Sequence, residues 1–217
     1  MSSQHHPSLE MLEEYAAGGV SEPVALALAV HLSSCSACRV AVQKLEVIGG
    51  VVLDDVVPVA LDTEAALGRA LSNLDDTAPA NSTAGGGDLP QALAQRLPDD
   101  LPNLPWRRVA RGVAEYTLET KEAGYGAKLL RIQPGAAVPF HTHRGEEYTV
   151  VLAGAFNDSD DVYDKGDFAE ADPNVRHQPV ATEGGVCYCL AVTDAPLKLL
   201  GPIGRLIDPL LQLRAQR

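Results

Sequence analysis

Residues 139–156 read PFHTHRGEEYTVVLAGAF, and their pattern is that of a strand carrying metal ligands. In an extended strand residues two apart face the same side, so His141 and His143 converge on one point. Glu147 has the same parity and joins them if the Arg144-Gly145 turn is tight. Glu146 falls on the opposite pleat face, so only one of the two neighbouring glutamates can be a ligand. His177 lies on a later segment and must arrive by strand pairing. Three imidazoles and one carboxylate make a divalent metal site of intermediate softness. Zinc is the expected ion, and iron, manganese and nickel are compatible with the same ligands.

Around this stretch, from Trp106 onward, the texture is of short β segments with turn signals: VAEYTLE, AKLLRIQ, EEYTVVLAG, VCYCLAV and LKLLG. Several strands without long intervening helices predict a sandwich or small antiparallel barrel over residues 106–217. Trp106 is expected to pack at its first strand and Arg144 to be an exposed turn residue. Cys187 and Cys189 alternate with Tyr188 and share one face, where small buried core residues are the simplest reading. The tail IGRLIDPLLQLRAQR is expected to close with a short helix.

Upstream, residues 79–105 are rich in Pro, Gly, Ala and Ser and read as a linker with one helical turn near Gln91–Arg96. Residues 1–78 read as helices. SLEMLEEYAAGG has a 3.6-residue apolar period ended by Gly18-Gly19, and Ser21 caps EPVALALAVHLSS with Pro23 in its first turn. A third helix is expected from about Ser36 to Ile48, stopped by Gly49-Gly50. A fourth, DTEAALGRALSNLDD, aligns Leu67, Leu71 and Leu74. Helices this short form a thin core, where a structural metal helps most.

HLSSCSACRV, residues 31–40, supplies the ligands for one. His31, Cys35 and Cys38 stand at i, i+4 and i+7, on one helix face or at a helix end and its following turn. An imidazole and two thiolates suit tetrahedral zinc, which in a structural site takes a fourth ligand. His5 and His6 are the upstream candidates. A redox role for the CxxC would prefer a βαβ context, and none is visible.

Charge narrows the partners. The chain of 217 residues carries a formal net charge of −12. Residues 1–78 hold eleven acidic and three basic side chains, net −8. That segment would repel nucleic acid, whose binding relies on Lys and Arg, and would attract a basic, DNA-binding protein. No apolar run reaches the ~18 residues of a membrane span. The N-terminal sequence lacks the basic and apolar segments of a secretory signal. A cytoplasmic protein with reduced or metal-bound cysteines is expected.

Two resemblances add to this reading. His6, twenty-four residues, then H-x3-C-x2-C resembles the zinc-binding anti-sigma domain, a small helical unit that clamps a sigma factor. That spacing selects His6 with His31, Cys35 and Cys38. Gly135-x5-His141-x-His143-x3-Glu147-x6-Gly154 resembles the first motif of the cupin family, whose spacing selects Glu147 over Glu146. A second motif starts at Gly166 and reaches His177 at the expected distance, with Asp172 in place of the usual proline, Asn174 in place of a glycine and Ala181 at the terminal asparagine position. The fold class expected is therefore α+β multidomain, a small helical zinc-binding bundle followed by an antiparallel cupin β-barrel.

The order of the two units, both ligand sets and the Cys187/Cys189 pair resemble the ChrR-type anti-sigma factors. That resemblance implies a non-enzymatic cytoplasmic inhibitor of a sigma factor of the extracytoplasmic-function group. It would bind neither nucleic acid nor membrane, and would release its partner on a singlet-oxygen or related oxidative signal that needs the cupin. The competing reading is a cupin metalloenzyme, of dioxygenase or isomerase type, with a regulatory zinc domain.

Overall fold

The computed structural model describes residues 3–72, 89–120 and 122–200. The expected closing helix of residues 203–217, and Leu74 of the fourth helix, lie outside the described residues. Ser8 opens α1 (Leu9–Ala16), its hydroxyl accepting the Met11 N–H. The chain leaves through Gly18 at φ +71°, a left-handed conformation that glycine adopts without a Cβ penalty. In α2 (Glu22–Ser34) the buried residues run all round the cylinder: Val24, Leu26, Ala27, Leu28, Val30, His31 and Leu32. A helix apolar on every side must be enclosed. Here α2 is enclosed by α3 (Ser36–Asp54) and α5 (Gln91–Ala94) and by strands of the β-domain. The chain bends by 119° between α2 and α3. Among the described residues no single helix is long and apolar enough to cross a membrane.

Three expectations about the helices change. Helix α3 does not stop at Gly49-Gly50 but continues to Asp54. Glycine weakens a helix by about 1 kcal/mol yet keeps its N–H and C=O in the ladder, so it ends one only when the flanking residues also favour stopping. Helix α4 (Thr63–Ser72), which starts with the Asp62 carboxylate accepting the Ala65 N–H, buries none of its residues. Its leucine stripe therefore contributes nothing to the helical core. Residues 89–105, expected within a linker, are packed: Leu93, Leu101 and Leu104 are buried in the same core as α2.

Twelve short strands form the β-domain among the described residues. A six-stranded antiparallel sheet runs in the order β1 (Arg107–Ala110), β2 (Val113–Leu118), β3 (Gly126–Ile132), β11 (Cys187–Thr193), β5 (Glu147–Ala153), β8 (Phe168–Ala171). Two three-stranded sheets complete it. One is β10 (Val180–Ala181), β6 (Ala155–Asp158), β7 (Asp161–Asp164), and the other β12 (Lys198–Leu199), β4 (His141–Thr142), β9 (Arg176–His177). Ladder hydrogen bonds do not close round the described strands, so the domain is a stack of sheets rather than a continuous cylinder.

Strand alternation gives the large sheet two different faces. Leu129, Val150, Leu152, Phe168, Leu190 and Val192 point to α2 and share one core with the helices. Val113, Ile132, Val151, Cys187 and Cys189 point the other way, against Phe156 and Ala181 of the small sheet. Glu147 shares this second parity, so the carboxylate expected to bind metal faces the interior of the stack. Trp106 sits just before β1, where its indole N–H donates to the Leu101 carbonyl at 2.7 Å and the Arg131 guanidinium lies over its ring.

Candidate metal centres

At the first centre, α2 ends at Ser34 and Cys35 is at once its C-cap and the N-cap of α3. The sharp angle between the two helices carries His31, at the end of one, toward Cys38, in the first turn of the other. His6 comes from the segment before α1. Ligand atoms of His6, His31, Cys35 and Cys38 all lie within 4.8 Å of one another. His6 Nδ1 is 3.4 Å from both the Cys35 and the Cys38 sulfur. Sulfur and nitrogen bound to one tetrahedral zinc, at ~2.3 and ~2.0 Å, stand about 3.5 Å apart. The residues therefore fit the ion.

Two further observations support that fit. His31 Nδ1 is 2.7 Å from the Gly166 carbonyl, which fixes the proton on that nitrogen. Its Nε2 is then left buried without a hydrogen-bond partner, the arrangement of a ligand nitrogen. Burial also lowers the His31 pKa and raises that of Cys38 to about 12, with Cys35 as the second cause. Without a cation Cys38 stays a thiol; a divalent ion would reverse that preference. His5, the other candidate, is turned away. Its ring pairs with Asp167 at 3.1 Å and lies against Tyr163, centroids 4.2 Å apart.

At the second centre, His141, His143, Glu147 and His177 are brought together within the same limit. His141 pairs with His177 across β4 and β9, so strand pairing delivers the distant ligand. The His177 Nε2 is 3.0 Å from Nε2 of both His141 and His143. Nitrogens about 2.1 Å from one ion lie roughly 3.0–3.4 Å apart, depending on its geometry. His141 Nδ1 is 2.8 Å from the Pro139 carbonyl, and His177 Nδ1 is 2.5 Å from Asp158 Oδ2, which turns both Nε2 atoms inward. Burial holds the His141 and His143 pKa values down at about 4, so both are neutral and able to bind metal at pH 7. The same burial raises the Glu147 pKa.

The Arg144-Gly145 turn is as tight as the ligand set requires. A Cβ on Gly145 would run into the Asp194 carboxylate, which accepts the Glu146 N–H at 2.8 Å. Glu146 stays outside the cluster, where burial and then Asp172, Asp194 and Glu170 push its carboxyl pKa up. The departures in the second motif have local replacements. The Asp172 carboxylate accepts the N–H groups of Asn174 (2.7 Å) and Val175 (3.1 Å), closing by side chain the turn that proline and glycine usually make. At Ala181 the backbone does the holding, its N–H donating to Ala136 and its carbonyl accepting from Gly135. Cys187 and Cys189 are free thiols, fully buried, with sulfurs 3.5 Å apart.

Sequence reading missed Asp158, whose carboxylate holds one member of the cluster. It sits at the end of β6 with its carboxylate on His177, and its second oxygen is buried without a partner. The pair stands nineteen positions apart in sequence, so only the folded sheet reveals it.

Comparison with known proteins places the chain in a lineage. Residues 95–195 match the family model described as the ChrR cupin-like domain. The Anti-sigma-E factor ChrR of Cereibacter sphaeroides is 39% identical over 215 residues, 98% of this chain and all of that one. The crystal structure of Rhodobacter sphaeroides SigE in complex with the anti-sigma ChrR contains a chain matched over 88% of this one and 100% of that one, with a TM-score of 0.76 and 39% identity. Both relatives are anti-sigma factors. Since the match spans both the helices and the β-domain, this chain belongs to the ChrR family of anti-sigma factors.

Proposed function

We propose that this chain acts in the cytoplasm to sequester a sigma factor of the extracytoplasmic-function group. Residues 1–78 form the clamp, held by zinc on His6, His31, Cys35 and Cys38. Residues 106–217 form the sensory cupin, with a second divalent metal on His141, His143, Glu147 and His177. A photooxidative (singlet-oxygen) or related oxidative signal that requires the metal-binding cupin domain releases the partner.

One observation carries the reading of the clamp. Eleven large apolar side chains between Val47 and Leu71 are exposed, from Val47, Ile48, Val51, Val52 and Leu53 on α3 to Leu67 and Leu71 on α4. So large an apolar stretch outside the core marks a partner surface. The segment is acidic, with Asp54, Asp55, Asp62 and Glu64 against Arg69 alone, which suits a partner that also binds DNA. The solved ChrR relative is itself in complex with SigE.

Zinc would supply folding free energy to the clamp, ~10–16 kcal/mol in small zinc modules. Around it His31 and His6 present one nitrogen each and the two cysteines a sulfur each, while the joint between α2 and α3 sets the spacing. Release requires that the signalled state bind the sigma factor less well than the resting one. The test is transcription by RNA polymerase with each extracytoplasmic-function sigma factor of the source organism. The full chain should silence one of them, and a chelator that strips the first centre should restore its transcription. Unaltered transcription with all of them at saturating chain would overturn the reading.

A further inference from the structure

The first centre is not built by the helices alone. The segment from Ser3 to Ser8, which brings His6, lies along β8, the edge strand of the large sheet. The Phe168 N–H donates to the His5 carbonyl at 3.1 Å, and the Ser8 N–H donates to the Glu170 carboxylate at 2.9 Å. Just before β8, the Asp167 carboxylate accepts the Gln4 N–H at 2.7 Å, the His5 N–H at 3.3 Å, the Asp164 N–H at 3.0 Å, and pairs with the His5 ring. Asp167 is 1% exposed, so this is a buried carboxylate whose partners are mostly in the other half of the molecule.

One residue earlier, the Gly166 carbonyl accepts from both His31 Nδ1 (2.7 Å) and the Ser3 hydroxyl (3.0 Å). Gly166 sits at φ +94°, and a Cβ there would meet the Ser34 and Ser3 hydroxyl oxygens at 2.8 and 3.0 Å. The end of α2 and the start of the chain thus close directly on this turn. His5 and His6 are adjacent, so gripping His5 by ring and backbone leaves His6 to face the cysteines.

We propose that the β7–β8 turn of the cupin is part of the first zinc site, with the Gly166 carbonyl and the Asp167 carboxylate as positioning groups for His31 and His6. This deepens the proposed function and rests on zinc occupying that centre. Gly166 also opens the segment that ends in His177, so one stretch of chain touches both centres: its first turn holds two ligands of the clamp and its end supplies one of the cupin. By linkage, whatever loosens the turn weakens zinc binding in the clamp, and loss of zinc loosens the turn to the same extent.

The test uses the full chain. Partners that orient metal ligands typically change affinity 10–100-fold. Asp167→Asn, which removes the charge opposite His5, should release zinc to a chromophoric chelator at least about tenfold faster than the unmodified chain. In the cobalt-substituted protein the thiolate charge-transfer band should persist while the d–d bands shift as His6 withdraws. A second measurement needs no variant: hydrogen exchange at the Phe168 amide, with and without zinc. Stripping zinc should speed that exchange about tenfold or more while the Leu129 and Leu190 amides in the β3–β11 ladder stay protected. Unchanged zinc release in Asp167→Asn, or unchanged Phe168 exchange on zinc removal, would overturn the proposal. A full chain that takes up no zinc at residues 6–38 would instead overturn the reading beneath it.

Discussion

At the scale of single residues, the ligands owe their geometry to partners one bond further out. Asp158 on His177 is the clearest case, because it fixes which imidazole nitrogen faces the rest of the cluster. Asp158→Asn should leave the β-domain folded and lower metal retention at the second centre about 10–100-fold, read by metal content after dialysis against a graded chelator. The buried histidines also make the metal-free chain acid-sensitive. His141 and His143 bind protons at pH 6.5 when unfolded but only near 4 when folded. The unfolded chain therefore holds more protons between those values, so stability falls as pH drops from 6.5 to about 4 and no further on their account. Each contributes a slope of at most about 1.4 kcal/mol per pH unit. Glu147, whose pKa is raised by burial, acts in the opposite direction, but it is one proton against two. Denaturant unfolding of the metal-free chain at pH 7, 6, 5 and 4 would show the decline, and a flat profile would contradict it. The cluster itself was legible in sequence, since parity put His141, His143 and Glu147 on one face and the cupin-like spacing chose Glu147 over Glu146. Asp158 and the Gly166 carbonyl were not, because neither local pattern nor residue type marks a group that acts through tertiary contact.

Elements show where sequence rules compete. The two glycines in α3 looked like a stop, yet the helix passes through them, and a Cβ on either would meet nothing within 4 Å. Gly49→Ala and Gly50→Ala should each stabilise the chain by about 0.5–1 kcal/mol, seen as a higher midpoint in thermal or denaturant unfolding. A loss of stability would mean that the helix is broken there after all. Gly154, the glycine that closes the first cupin motif, should behave in the opposite way. It sits at φ +70°, and a Cβ would lie 2.5 Å from the Val186 carbonyl oxygen. Gly154→Ala combines a left-handed backbone cost of about 1–2 kcal/mol with a backbone clash and should destabilise by more than that. The sequence read all these glycines as punctuation. What separates them is the sign of φ and the nearness of another backbone, and a single sequence carries neither.

For the whole molecule, the sequence read two units in tandem, and the order and class of both were visible in the change from 3.6-residue to two-residue periodicity. Their union was not. Helix α2 is apolar all round because a sheet covers one side of it, and residues 89–105 pack under it despite a linker-like composition. The docked surface of the helices is thereby used up, which leaves the far half of α3 and all of α4 exposed among the described residues. That division predicts separable losses. Val52→Ser with Leu53→Ser removes two side chains that are 63% and 69% exposed, so folding should change by no more than about 0.5 kcal/mol per site. If both are buried by the sigma factor, each contributes up to about 1.5–3 kcal/mol of burial to the complex. Affinity should then fall by at least tenfold, with metal content at both centres unchanged. Cys38→Ser should also lower sigma affinity, but through loss of zinc and of the α2–α3 joint, with the cupin metal retained. Measuring sigma binding and the metal content of each centre for both variants distinguishes the two routes. A double serine variant that bound the sigma factor as tightly as the unmodified chain would move the docking surface away from α3, and the exposed apolar stretch would need another occupant.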